Sequence, residues 1–209
     1  YQKPLAGLGA ALTQAVYGSI GGGREDYMEE SFANLGFSNI KYYQPAIGAT
    51  GVAVALAQKK VVENGELRNV LMIVVRGTYS WDWIGNFMAY GNEEGHANFI
   101  SAAREAQENI NQYVKEYMSE EICGMTRVYV CGHSRGGAVS NLLTYWMKYE
   151  GWNYFFDSMT SYTYAAACSL ESPVADSDVT NLLYLYDIVG YAPFEYYRYG
   201  TTYVLGMDG

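Results

Sequence analysis

Five residues, Gly132-His133-Ser134-Arg135-Gly136, constrain the fold of this chain more than any other stretch. Before them runs Thr126 to Cys131, a short β-branched and aromatic segment that reads as a buried strand. After them, Gly137 to Met147 has the length and apolar spacing of a helix. Strand, G-x-S-x-G and helix in that order describe a nucleophile elbow, in which the serine occupies a strained apex. Its neighbours two positions away must be tiny, because strand and helix nearly touch there. The first turn of the helix then offers backbone N–H groups to an anion. The pentapeptide alone is weak, since a glycine-rich strand-to-helix turn can carry an ordinary serine. Its flanks give it weight.

The rest of the chain agrees with one α/β domain. A length of 209 residues, half of them apolar and 17% charged, suits a sizeable core and excludes a disordered chain. The 22 tyrosines point to many half-buried amphipathic rings. A formal charge of -9 argues against nucleic acid or an anionic membrane surface as the main partner. No window approaches the roughly 18 consecutive apolar residues of a transmembrane helix. The chain opens on Tyr1, so it is read as a processed form with any export signal out of view, and its compartment stays open. Of the three cysteines, Cys131 and Cys168 read as small core residues. Asp176-Ser177-Asp178 offers far too few ligands for a metal loop, and no cofactor is implied.

Taken in order, residues 5–18 form an amphipathic stretch stopped by Gly21-Gly22-Gly23. A second helix over about 24–35 carries Tyr27, Met28, Phe32 and Leu35 on one side. Both are expected to pack only, with no chemistry. Gly51 to Val62 and Arg68 to Val75 flank Asn64-Gly65, a strong hairpin signal. The second run is apolar without alternation, as in a strand covered on both faces. Residues 98–118 are the clearest helix, burying Phe99, Ala103, Ala106, Ile110, Val114 or Tyr113, and Tyr117. Further strands are expected at Ser161 to Ala166 and at Leu182 to Tyr186, the latter ending at Asp187. The fold class is therefore α/β: a mostly parallel sheet with an antiparallel N-terminal hairpin and helices on both faces.

Arg76-Gly77-Thr78 stands at the end of the apolar strand, where open α/β sheets place their ligands. Gly77 lets the backbone approach a reacting group, and the next N–H could complete an oxyanion hole with the amide of Arg135. Taken together, four segments resemble the class 3 lipases, a family of α/β-hydrolases. They are Arg76-Gly77-Thr78 with Ser80 and Asp82-Trp83; His96-Ala97-Asn98-Phe99, with Asn98 where the family has Gly; Gly132 to Ala138, with Arg135 where it commonly has Leu; and Asn181 to Pro193, containing Asp187-Ile188-Val189. The resemblance implies that Ser134 is the nucleophile, Asp187 the triad acid, and Thr78 with the backbone N–H of Arg135 the oxyanion donors. It implies a lipid or other ester substrate, with His96 and Asp82 as structural residues. The stretch Tyr79 to Gly95 holds Trp81, Trp83, Ile84, Phe87 and Met88. They stand either in an apolar lid that opens at a lipid interface or over the core.

An acyl-transfer serine needs a base, and in this family's chain order the histidine follows the acid. The only histidines are His96 and His133, both before Asp187. Three explanations stand. The base lies beyond this sequence, because Tyr199 to Leu205 reads as a strand with more to come; the protein is a catalytically inactive binder on a hydrolase scaffold; or His96 or another group serves. His133, directly before Ser134, should point away from the hydroxyl. An acyltransferase using the same elbow differs from a hydrolase only in how it excludes water.

Overall fold

A computed structural model describes residues 2–18, 25–45, 51–78 and 92–206. Seven strands form one sheet in chain order: β1 (Ser38–Tyr43), β2 (Val54–Glu63), β3 (Glu66–Val75), β4 (Thr126–His133), β5 (Ser158–Tyr164), β6 (Val179–Tyr184) and β7 (Thr201–Leu205). The first three pair antiparallel, and β3 to β7 run parallel. The antiparallel start rests on the expected hairpin. Asn64 and Gly65 both have positive φ, 52° and 85°, the two-residue turn whose twist matches that of paired strands. That turn sets Glu63 opposite Glu66 and carries the register through to Val54 opposite Val75.

Five helices accompany the sheet among the described residues: α1 (Lys3–Gly18), α2 (Glu25–Asn34), α3 (Asn92–Tyr117), the single turn α4 (Glu120–Cys123) and α5 (Arg135–Tyr149). Alternation along the strands sorts the core into two layers. Leu71, Ile73, Val75, Val128 and Val130 face α3 and α5. Met72, Val74, Tyr129 and Cys131 face α1 and α2. Both layers meet on β3 and β4, which explains why those strands are apolar without alternation. On α3 the expected stripe is buried from Phe99 to Val114, while Tyr117 is only partly covered.

Several boundaries differ from the sequence reading. β1, an edge strand of mixed polarity, carries no period-two signal and was not anticipated. β6 spans Val179–Tyr184 and ends before Asp187, because the polar Thr180 and Asn181 are core residues. On α2, Met28 and Phe32 are fully buried, whereas Tyr27, and Leu35 just past the helix, are exposed.

Asn181 earns its burial through hydrogen bonds. Its Oδ1 accepts from Asn141 Nδ2 at 3.0 Å and from Thr163 Oγ1 at 2.6 Å, and its Nδ2 donates to the Tyr199 carbonyl at 2.8 Å. One buried amide thus ties α5, β5, β6 and the approach to β7. Asp176 reinforces the same corner, accepting from the Lys148 ammonium, the Tyr199 hydroxyl and the Asp178 N–H. Asn181→Leu preserves size but strands two buried donors and a carbonyl, and should cost about 3 kcal/mol. Urea unfolding should show a lower midpoint at unchanged slope; an unchanged midpoint would show that the network contributes nothing.

Candidate active site

The end of β4 and the start of α5 come together as the elbow requires. A Cβ on Gly132 would lie 2.5 Å from the Gly136 carbonyl oxygen, and one on Gly136 would overlap the Val75 carbonyl. Any larger residue at either position pushes strand and helix apart. Between them Ser134 holds φ 55° and ψ -125°, a conformation that costs an L-residue on the order of 1–3 kcal/mol. Neighbouring backbone over-determines it: the Ser134 N–H donates to the Tyr164 carbonyl at 2.9 Å, and its carbonyl accepts from Ala138 at 3.1 Å. The Ser134 side chain makes no capping bond to α5. Its hydroxyl is not consumed by the helix it precedes.

Thr78, three residues past β3, is brought to the same place. Gly77 packs against the elbow so closely that a Cβ there would lie 3.3 Å from Ser134 Cβ and 2.5 Å from the His133 carbonyl. The Thr78 hydroxyl is buried and has no hydrogen-bond partner among the described residues. A buried, unspent donor is costly unless a ligand completes it. Arg135 opens α5, where backbone amides have no intrahelical acceptor and favour an anion. Its guanidinium turns inward and donates to the Gly51 carbonyl at 3.1 Å. Burial lowers this guanidinium to about 10, opposed by the Glu105 carboxylate, so it remains a cation at neutral pH.

Asp187 is half-buried at the head of a 3₁₀ turn, Ile188–Tyr191. Its Oδ1 accepts from the Val189 N–H at 3.0 Å, so it does serve as a turn cap. Burial pushes His133 below its ordinary value, and the Asp187 charge opposes that shift. The elbow at Ser134 and Arg135 and the Gly77-Thr78 segment therefore meet, and Asp187 follows β6 at the same end of the sheet. Trp81, Trp83, Ile84 and Phe87 of the expected lid, and Asp82, lie outside the described residues.

The hydrogen bonds of the two histidines lead elsewhere. His133 Nδ1 meets the Tyr17 hydroxyl at 2.9 Å on the α1 face of the sheet. His96, on α3, stacks on Tyr196 with ring centroids 4.4 Å apart and lies 3.8 Å from Glu171. Tyr17, on the last turn of α1, thus reaches the residue before Ser134. Beside it a cavity of 390 Å³ is lined by Ala10, Thr13, Gln14, Tyr17, His133 and Tyr164. A tyrosine on the last turn of an amphipathic helix carries no signal of this in sequence.

The order of these pieces decides the family. The profile described as Lipase (class 3) matches residues 68–194, more than half of the chain, from β3 through the elbow to the turn after Asp187. The chain belongs to the class 3 lipase family. Solved structures with the same fold include the native Rhizomucor miehei lipase propeptide complex, at 17% identity and a TM-score of 0.59, covering 98% of this chain and 69% of that one. M37 lipase matches at 19% and 0.58, over 87% of this chain and 69% of its own. A lipase from Rhizopus microsporus var. chinensis matches at 14% and 0.58, over 99% and 75%. No curated protein matches the chain in sequence. At these identities the solved structures establish the α/β-hydrolase fold, and family membership supports ester hydrolysis.

The histidines also make this lipase-family fold sensitive to acid. His133 and His96 are both lowered chiefly by burial. The unfolded chain, with histidines near the usual value of about 6.5, therefore takes up protons first as pH falls. Their contribution to stability is present above that value and is lost as pH drops below it. Melting temperature should fall between pH 7.5 and pH 5.5, and His133→Asn should shrink that fall. An unchanged pH slope in the variant would contradict the assignment.

Proposed function

We propose that this class 3 lipase relative hydrolyses carboxylic esters, acylglycerols or phospholipids among them, through an acyl-Ser134 intermediate. Ser134 Oγ attacks the ester carbonyl as its proton passes to a base, and the tetrahedral oxyanion accepts from Thr78 and from the Arg135 N–H. Collapse expels the alcohol, which takes up the proton from that base, and water then repeats the sequence to release the acid. Asp187 is the acid that orients that base. The single observation that carries the reading is Ser134 itself, held in a strained conformation with its hydroxyl unspent at the start of α5. The buried Thr78 hydroxyl, without a partner among the described residues, supports the oxyanion role.

The rim around Asp187 supports a lipid-like substrate. Tyr186, Ile188 and Phe194 are 80%, 61% and 76% exposed. Isolated apolar residues on a surface are ordinary, but large ones on either side of Asp187 in the chain and shortly after it suit an apolar partner. No helix among the described residues is long and apolar enough to cross a membrane. Contact with lipid is proposed as transient and at the surface.

The test is the intact mass of the natural protein before and after a fluorophosphonate probe. One adduct is expected, absent in Ser134→Ala, and p-nitrophenyl ester hydrolysis should vanish with it. Thr78→Val should keep the adduct site but lower turnover about 100-fold. No adduct on the intact protein would overturn the enzyme reading and leave a binder on a hydrolase scaffold.

A further inference from the structure

Tyr17 stands between the two halves of the candidate site. Its hydroxyl packs directly against Gly77, the residue before Thr78, leaving no room for a Cβ there. The same oxygen lies 2.9 Å from Nδ1 of His133, the residue before Ser134. The rings of Tyr17 and His133 meet edge to face, with centroids 5.6 Å apart and planes at 74°. Gly77 is fitted to this oxygen, since a side chain there would overlap the phenol.

The Tyr17 hydroxyl can donate or accept, and the role of Nδ1 depends on which ring nitrogen carries the proton. With the phenol as donor, Nδ1 accepts and the neutral imidazole carries its proton on Nε2. Burial pushes the Tyr17 phenol up to about 12, so that hydrogen is present throughout the ordinary pH range. Burial also favours the neutral form of His133, whose ring feels the Asp187 charge. A continuous path runs from Gly77 through Tyr17 to His133 and the field of Asp187. It crosses three elements that are far apart in sequence.

Resting on the reading of Ser134 as nucleophile, we infer that Tyr17 is a positioning residue: it clamps Gly77 to His133 and so fixes Thr78 against Ser134. An oxyanion donor works only when held within a few tenths of an ångström of where the charge develops. Thr78 directly follows the contacted Gly77, and the Arg135 N–H lies two residues past His133. Removing its hydroxyl loosens the gap between β3's end and the elbow while leaving both anchored in the sheet.

The experiment compares Tyr17→Phe with the natural protein and with Tyr129→Phe. Tyr129 also donates from its buried hydroxyl to α1, at the Leu5 carbonyl, but lies inside the sheet rather than at its reacting end. For the fluorophosphonate, Tyr17→Phe should lower the maximal labelling rate about tenfold while the half-saturating concentration stays within about twofold. Tyr129→Phe should lose stability yet label at the natural rate. Independently of any reaction, ¹⁵N NMR of His133 should show the Nε2–H tautomer in the natural protein and a mixture in Tyr17→Phe. Equal labelling rates in Tyr17→Phe and the natural protein, or an Nδ1–H tautomer in the latter, would overturn the clamp. Failure of the natural protein to label at all would instead strike the acyl-enzyme reading, and the tautomer would still decide whether the clamp exists.

Discussion

Everything at the reacting end of this sheet depends on one close approach, that of β4 to α5 across Ser134. The contact distances at Gly132 and Gly136 leave no room for a side chain, and the backbone between them is forced into positive φ. Such strain persists only where the surroundings over-determine it. Here they are the buried stretches Leu71 to Val75 of β3 and Val128 to Gly132 of β4, the bond from Ser134 to Tyr164, and the first turn of α5. A rigid core thus holds a serine above the sheet without spending its hydroxyl. The parallel order of β3, β4, β5 and β6 then brings the loops after β3 and β6 to the same edge, where Thr78 and Asp187 stand.

Charge is placed with equal economy. The chain as a whole is acidic, yet the cation nearest the elbow, Arg135, is buried in the body and bonded to Gly51, with Glu105 opposing its loss of charge. Its position favours negative charge developing at the start of α5, in the same direction as the helix dipole. Tyrosines supply the polar ends that an apolar interior lacks: Tyr129 and Tyr164 donate to carbonyls of α1, and Tyr199 to Asp176. This explains the abundance of tyrosine, since each ring fills core volume while its hydroxyl satisfies a backbone or carboxylate group.

Much of this was legible in sequence because the relevant signals are local. Asn64-Gly65 specified its hairpin, the stripe on α3 specified its buried face, and the glycines around Ser134 specified the elbow. The signals failed where tertiary packing overrides polarity. Thr180 and Asn181 look like a loop but form the core of β6, because Asn141, Thr163 and the Tyr199 carbonyl satisfy the amide. β1 is stabilised by pairing to β2 rather than by its own pattern. Tyr17 was invisible for another reason: its partners Gly77 and His133 are distant in the chain, and nothing in a helical stripe marks which ring will reach a sheet edge.

The most direct test of the site is the structure of the phosphonylated protein. The phosphorus should be bonded to Ser134 Oγ, with the phosphoryl oxygen within hydrogen-bond distance of both the Arg135 N–H and Thr78. A phosphoryl oxygen turned to solvent, or an adduct on another serine, would contradict the assignment of this elbow as the reacting centre.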